Sequence, residues 1–245
     1  MATAPFFTIL DRVDSTNNYA MGKVRAGLAA HGMAWFAREQ TGGKGQRGKS
    51  WESTPGQNIA LSLVLEPWQL MAADQFYLSA LVSLACRDFL ERYAGEETAI
   101  KWPNDIYWRD RKAGGILIEN VFQGTVWKYA VVGIGININQ VYFNTGLKNP
   151  VSLKQISGKD YDPILLAEEL FALLIERTRS LDIAGFAQTL ADYNTRLYAR
   201  NREVRLLKDD QVFVTMVRGV NAEGQLLTKD TEERRFDFGE VEWLL

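Results

Sequence analysis

Glu39-Gln-Thr-Gly-Gly-Lys-Gly-Gln-Arg-Gly-Lys-Ser-Trp51 sets four glycines (Gly42, Gly43, Gly45 and Gly48) among Lys44, Arg47 and Lys49. Glycine admits positive φ and lets a backbone approach a ligand closely. Successive N–H groups in such a turn form an anion nest, to which cationic side chains add charge-assisted donors. The pattern differs from a P-loop, because no Gly-Lys-Ser/Thr closes onto a helix after four intervening residues. Taken alone, the stretch reads equally well as a basic surface loop or as a cradle for a phosphate-linked group. Its neighbours are apolar and β-prone: Met33–Ala37 delivers the chain to the loop, and Ile59–Leu65 continues it as a core strand.

The chain has 245 residues, 47% apolar and 24% charged, the texture of an ordinary globular protein. A net charge of −2 argues against wholesale coating of nucleic acid and confines anion binding to a local site. The one cysteine, Cys86, forms no internal disulfide and fits a reducing compartment. Met1–Pro5 lacks the charged and apolar regions of a signal peptide. No run approaches the ~18 apolar residues of a membrane span. The expectation is a cytoplasmic protein with no membrane partner.

Working outward, Phe6–Leu10 reads as a first strand and Asp14–Asn17 as a helix entrance, with the helix ending near Gly27. Ser15 and Thr16 serve either as caps alone or as spare hydroxyls for a polar ligand head. His31 reads as a turn residue. Asp74–Tyr93 carries Leu78, Leu81, Ala85 and Phe89 at helical spacing, with Cys86 at the edge of the stripe as an inert thiol. In Thr98–Trp108, Pro103 forces a strand, turn and strand, gathering Lys101, Asn104 and Asp105 at one corner. Arg111–Glu119 and Trp127–Asn139 read as strands. Gly114 and Gly115 beside Lys112, and Gly133 and Gly135 before Asn137, mark places where a ligand or another backbone packs closely. Val141–Lys159 reads as loop. Asp162-Pro163 caps a helix to Arg179, and a second helix spans Ile183–Tyr198. After about Glu203 four short strands indicate a small antiparallel, SH3-like β module. The expected domains are 1–200 and 201–245.

Five motifs stand in order: Ser15-Thr-Asn17, Gln40-Thr-Gly-Gly-Lys-Gly-Gln-Arg-Gly48, Lys101-Trp-Pro-Asn-Asp105, Lys112-Ala-Gly-Gly-Ile-Leu117 and Gly133-Ile-Gly-Ile-Asn137. As an ordered set they resemble the biotin–protein ligases, which attach biotin to the carboxyl-carrier domain of biotin-dependent carboxylases. The resemblance implies an α+β fold: a mixed, largely antiparallel central sheet with helices packed on it, like a class II aminoacyl-tRNA synthetase, plus the small SH3-like barrel. It implies biotin and ATP as substrates with Mg²⁺, a biotinyl-5′-AMP intermediate, and transfer to a carrier lysine. Neither step needs a protein nucleophile; both need positioning and charge neutralisation.

By the same resemblance, Ser15, Thr16, Asn17 and Gln40 meet the ureido head of biotin. Gly43, Lys44, Gly45, Gln46, Lys112 and Gly115 complete the biotin site. Lys44, Arg47, Trp51, Asn104, Lys112 and Asn137 contact the nucleotide, Lys112 and Arg47 are catalytic, and Asp105 contributes to Mg²⁺. The chain departs from the family's Gly-Arg-Gly-Arg-x-Gly at Gly43-Lys-Gly-Gln-Arg-Gly48. Lysine cannot offer a bidentate fork and glutamine is neutral, which leaves Arg47 to supply a guanidinium one position later.

The nearest rival is a lipoate–protein ligase or lipoyl/octanoyl transferase of the same architecture. The transferases need a cysteine nucleophile, for which Cys86 is poorly placed. A DNA-binding repressor would need a helix-turn-helix ahead of Ser15, where fourteen residues leave no room for one. A non-catalytic biotin-binding module would have no use for Lys112 or Asp105. Exposed strands near the glycine-rich sheet leave both a homodimer and docking of the carrier open.

Overall fold

The computed structural model describes residues 6–179 and 181–244. The Met1–Pro5 stretch read above lies outside them. The main sheet has seven strands: β1 (Phe7–Val13), β2 (Ala34–Gln40), β3 (Asn58–Leu65), β4 (Thr98–Lys101), β5 (Asp105–Trp108), β6 (Arg111–Gln123) and β7 (Val126–Asn137). They lie in the order β1-β2-β3-β7-β6-β5-β4. β1 and β2 run parallel, and every other pair is antiparallel. The interior strand β3 is buried along its whole length, as expected of a strand covered on both faces.

Alternation along β3 separates those faces. Leu61, Leu63 and Leu65 join the large core under α2 (Gln75–Ala94) and α4 (Pro163–Thr178). Val64 turns the other way and packs with Val131, Trp35, Ala20 and Val24 beneath α1 (Thr16–Arg25). Ser62 lies on this second face, directly across from Gly133 of β7, which in turn pairs with Leu117 of β6. Gly115, Leu117 and Glu119 therefore share a face with Gly135, Gly133 and Val131. The functional site is built on that face.

Two further helices, α3 (Leu153–Ser157) and α5 (Phe186–Thr195), revise the expectations. α3 falls where loop was expected. It is too short to show a helical period, and a local capping box holds it: Ser152 Oγ accepts from Gln155 N–H at 3.2 Å, and Gln155 Oε1 accepts from Ser152 N–H at 3.1 Å. The helix expected over Ile183–Tyr198 is a 3₁₀ turn followed by α5, and it stops at Thr195. Beyond it Tyr198 N–H donates to Ile100 O at 2.8 Å and Ile100 N–H to Arg196 O at 2.9 Å, so this segment extends the sheet edge instead.

The C-terminal sheet comprises β8 (Glu203–Lys208), β9 (Gln211–Val220), β10 (Leu226–Lys229), β11 (Glu233–Phe236) and β12 (Glu242–Leu244), in the order β11-β10-β9-β8-β12. The three-residue β12 shows no alternation of its own and was not expected. Leu206, Val217, Phe236 and Trp243 from this sheet belong to the same apolar cluster as the main core. Trp102 Nε1 bonds Gly224 O across the junction at 2.9 Å. Among the described residues no helix is long and apolar enough to cross a membrane.

Candidate functional site

One cleft collects residues from all five motifs. It is lined by Ser15, Thr16 and Asn17, by Gln40, Lys44, Gly45, Gln46 and Trp51, by Asn104 and Asp105, by Lys112 and Gly115–Leu117, and by Gly133–Gly135.

At one end sits the start of α1. Ser15 is its N-cap, yet its side chain makes no capping bond. Gln40 caps the helix from β2 instead, its Oε1 accepting from Thr16 N–H at 2.8 Å. An oxygen committed to two contacts with Thr16, the second at 3.1 Å from Oγ1, leaves the Gln40 Nε2 donor for the cleft. Asn17 lines the wall, but its amide is already engaged. Nδ2 donates to Glu119 Oε2 at 2.9 Å, and Oδ1 accepts from Ser62 Oγ at 2.6 Å. Gly133 makes room for it: a Cβ there would stand 2.1 Å from Asn17 Oδ1. Ser62 and Glu119 were not anticipated. Only the register of β3, β6 and β7 brings them behind α1.

The glycine-rich stretch forms a tight flap. Gly45 N–H donates to Lys49 O at 2.7 Å and Trp51 N–H to Gly43 O at 2.8 Å, closing it on itself. Gly43 thus anchors the flap's base. At its tip Arg47 takes left-handed φ, ψ of 56° and 41°, uncommon for a side chain other than glycine. The indole of Trp51 lies on the sheet floor, so that a Cβ on Gly135 would fall 2.4 Å from its Cε2. Trp51 Nε1 and Gln46 Oε1 are both buried without a hydrogen-bond partner. Native proteins rarely leave such atoms unpaired, which marks this part of the cleft as a place for a polar ligand.

Three expected site residues do not line the cleft: Gly43, which anchors the flap's base, Arg47 and Asn137. Arg47 points away: Nη1 donates to Gly239 O at 2.9 Å and the guanidinium lies 5.7 Å from the Phe238 ring centroid. The left-handed tip turns it toward the C-terminal sheet, fastening the flap there. Asn137 is buried behind the lining, with Nδ2 donating to Val151 O at 3.1 Å. It braces the segment whose Val151 N–H bonds Lys112 O at 2.8 Å, so it supports Lys112 rather than facing a nucleotide.

At the far end, Lys112 Nζ pairs with Asp105 Oδ1 at 2.7 Å and stands 5.8 Å from the Trp51 ring centroid. An irregularity in the β5–β6 register leaves Ala113 unmatched between Lys112 and Gly114; such a bulge re-aims a side chain. Asn104 Nδ2 donates to Ile116 O, leaving its Oδ1 for the cleft. Lys101, 9% exposed, lies outside the lining between the Tyr107 and Trp243 rings, 5.1 Å from each centroid. Burial lowers its pKa to about 8, partly opposed by the Asp105 carboxylate.

The described residues gather no group of three or more His, Cys, Asp or Glu side chains. The donor set present is one carboxylate, Asp105, beside the Asn104 amide oxygen. That suits Mg²⁺ held mainly by phosphate oxygens and water. It does not suit a metal caged by protein. Cys86 is buried and burial pushes its thiol pKa up, while His31 accepts from Glu66 N–H at 3.1 Å and stacks on Trp68. Neither residue lines the cleft. The site can therefore bind a polar head at one end, hold an anion beside Lys112 at the other, and cover both with the flap.

Comparison with known proteins follows the same outline. Residues 9–137 match the profile of the biotin/lipoate A/B protein ligase family. The bifunctional ligase/repressor BirA of Escherichia coli is 30% identical over 223 residues, spanning 89% of this chain and 68% of that protein. The biotin–[acetyl-CoA-carboxylase] ligase of Paracoccus denitrificans is 37% identical over 187 residues, 73% of this chain and 75% of that one. In fold, the biotin protein ligase from Aquifex aeolicus in complex with biotin and ATP superposes with a TM-score of 0.81 at 24% identity, covering 98% of this chain and 99% of the other.

Proposed function

The chain belongs to the biotin/lipoate A/B protein ligase family, and from that premise we propose that it activates biotin with ATP and transfers it to a carrier-protein lysine. In the first step a biotin carboxylate oxygen attacks the α-phosphorus of ATP. The bond from that phosphorus to the bridging oxygen breaks, and pyrophosphate leaves. In the second, the neutral amine of the acceptor lysine attacks the acyl carbon of biotinyl-5′-AMP. AMP departs with the C–O bond pair, and the amine loses a proton as the amide forms.

The observation that carries this reading is the arrangement along one cleft: Ser15, Thr16 and Gln40 by Gly133, and Lys112 with Asp105 by Gly115. The Ser15 and Thr16 hydroxyl oxygens can each accept from one ureido N–H, and Gln40 Nε2 can donate to the ureido carbonyl. The thiolane and valeryl chain cross the middle of the cleft beside the Trp51 indole. Lys112 holds the carboxylate against the α-phosphate and offsets the charge that accumulates there, the kind of fixed electrostatic stabilisation that dominates acyl and phosphoryl transfer. Asp105, with Asn104, would hold Mg²⁺, which would supply charge neutralisation at the phosphate oxygens. Lys44, Gly45 and Gln46 roof the intermediate and keep water from the mixed anhydride, while the Trp51 indole packs on the floor at Gly135. Residues 201–245 act as a module that fastens the flap through Phe238–Gly239. The acceptor is a biotin carboxyl carrier domain of a carboxylase.

Pyrophosphate release with ATP and Mg²⁺, run in parallel with biotin and with lipoate, tests the reading. Release with biotin is expected. Release with lipoate alone would replace it with a lipoate ligase.

A further inference from the structure

Behind the head-group end of the cleft, Thr16 is linked through buried Ser62 and Asn17 to half-buried Glu119, and the proposed reaction uses neither Ser62 nor Glu119. Ser62 Oγ lies 2.6 Å from Asn17 Oδ1 and 2.7 Å from Thr16 Oγ1. Asn17 Nδ2 lies 2.9 Å from Glu119 Oε2 and 3.4 Å from Leu117 O. Ser62 is 0% exposed, Asn17 3% and Thr16 4%, so bulk water is not on hand to repair a missing partner at these three; Glu119 is half-buried.

Donors and acceptors can be assigned along this chain without seeing a hydrogen. Glu119 Oε2 and Leu117 O only accept, so the Asn17 atom facing them must be the NH₂ group. Asn17 Oδ1, which only accepts, then faces Ser62. Ser62 has a single proton and two oxygens in range. Giving it to Thr16 would leave two lone-pair-bearing oxygens 2.6 Å apart at Asn17, an arrangement with an unpaired buried acceptor. The Ser62 proton therefore goes to Asn17. The Thr16 proton goes to Ser62 at 2.7 Å, since otherwise no proton would lie between those two oxygens; Gln40 Oε1, at 3.1 Å and already accepting Thr16 N–H, is the weaker competitor. Toward the cleft Thr16 can then offer only a lone pair.

We propose that Glu119 and Ser62 are positioning residues that set the hydrogen-bond polarity of the head-group pocket, making Thr16 an obligate acceptor and so selecting a substrate whose ring presents an N–H. The inference rests on the biotin-ligase reading for its substrate and deepens it. A ureido nitrogen satisfies the Thr16 lone pair. A ring carrying oxygen or sulfur at that position meets it lone pair to lone pair and leaves a buried acceptor unpaired, the circumstance in which a polar pocket discriminates strongly. Glu119 is well placed to act at a distance. It shares a sheet face with Leu117 and Gly115 but does not line the cleft, so its influence passes through Asn17 alone.

The test compares pyrophosphate release with biotin and with a cyclic-carbonate analogue in which oxygen replaces both ureido N–H groups, using the full chain. Glu119→Leu removes the acceptor that orients Asn17, letting the amide flip and the Thr16 proton turn into the cleft. The biotin KM is expected to rise about tenfold and the preference for biotin over the carbonate to fall by a similar factor, with kcat and the ATP KM unchanged. Glu119→Gln keeps an acceptor oxygen and is expected to stay within about twofold of the parent, since only the polarity matters. Ser62→Ala, which cuts the same chain at another point, carries the test if the leucine variant does not fold. Native preference in folded Glu119→Leu or Ser62→Ala overturns the proposal, as does a loss in Glu119→Gln equal to that in Glu119→Leu. A parent chain that releases pyrophosphate with lipoate and not with biotin would overturn the ligase reading itself, a result distinct from either.

Discussion

Replacing Lys112 with alanine separates its two contributions by size. For stability, the lost ion pair with Asp105 is half-exposed, 33% and 20% for the two side chains. Pairs of this kind contribute about 0–1 kcal/mol after solvent screening. Asp105 keeps access to water, so no fully buried charge is stranded. A change near 1 kcal/mol in a chain of 245 residues lowers Tm by roughly 2–4 °C. For activity, the ammonium sits where the carboxylate and α-phosphate would meet, and loss of one such preorganised donor typically costs about 10²–10³ in kcat. The variant should therefore fold, melt within a few degrees of the parent, and form adenylate at least about a hundredfold more slowly. The assay is single-turnover appearance of biotinyl-5′-AMP, with thermal melting alongside. Adenylate formation within tenfold of the parent would remove Lys112 from the chemistry.

Gly133→Ala places a methyl 2.1 Å from Asn17 Oδ1 and so displaces an amide that holds two good hydrogen bonds. At about 1 kcal/mol each, the biotin KM should rise by one to two orders of magnitude, with the ATP KM little changed; an unaltered biotin KM would contradict the head-group assignment. Arg47→Ala should slow adenylate formation far less than Lys112→Ala, because Arg47 is bonded to Gly239 O rather than turned into the cleft. An equal loss in the two variants would show that the guanidinium swings inward during turnover. Lys101, with its pKa lowered to about 8 from 10.5, loses its charge as pH rises past 8 and weakens the positive field beside the cleft. The ATP KM is expected to rise between pH 7 and 9, and Lys101→Met should abolish that rise. The same depression makes the folded chain release a proton that the unfolded chain keeps, so stability should climb from about pH 8 toward 10.5, again only with Lys101 present.

Much of the site was legible because its motifs are local. Ser15–Asn17 opens a helix, Lys44–Gln46 lies within one flap, and Asn104-Asp105 follows the bend that Pro103 forces. Each of these lines the cleft. Arg47 and Asn137 were legible as neighbours of the site but not in orientation. One depends on a left-handed residue at the flap's tip, the other on a carbonyl at Val151 brought in from a separate segment. Ser62 and Glu119 look like ordinary polar positions on their strands. Their meaning arises only from the pairing of Ser62 with Gly133 and of Glu119 with Val131, a register that strand patterning alone does not reveal. In the fold, long periodic elements such as β3 and α2 were readable. Two short ones were not: α3 rests on a capping box and β12 on pairing with β8.

The cleft would fit several activated acids if its head end were permissive, so transfer is the event to observe. Intact-mass measurement of a biotin carboxyl carrier domain, incubated with this chain, ATP, Mg²⁺ and an equal mixture of biotin and lipoate, tests the account at its centre. Addition of one biotin to the carrier lysine, dependent on ATP and lost with Lys112→Ala, is the predicted result. An unmodified carrier, or one bearing lipoate, would contradict it.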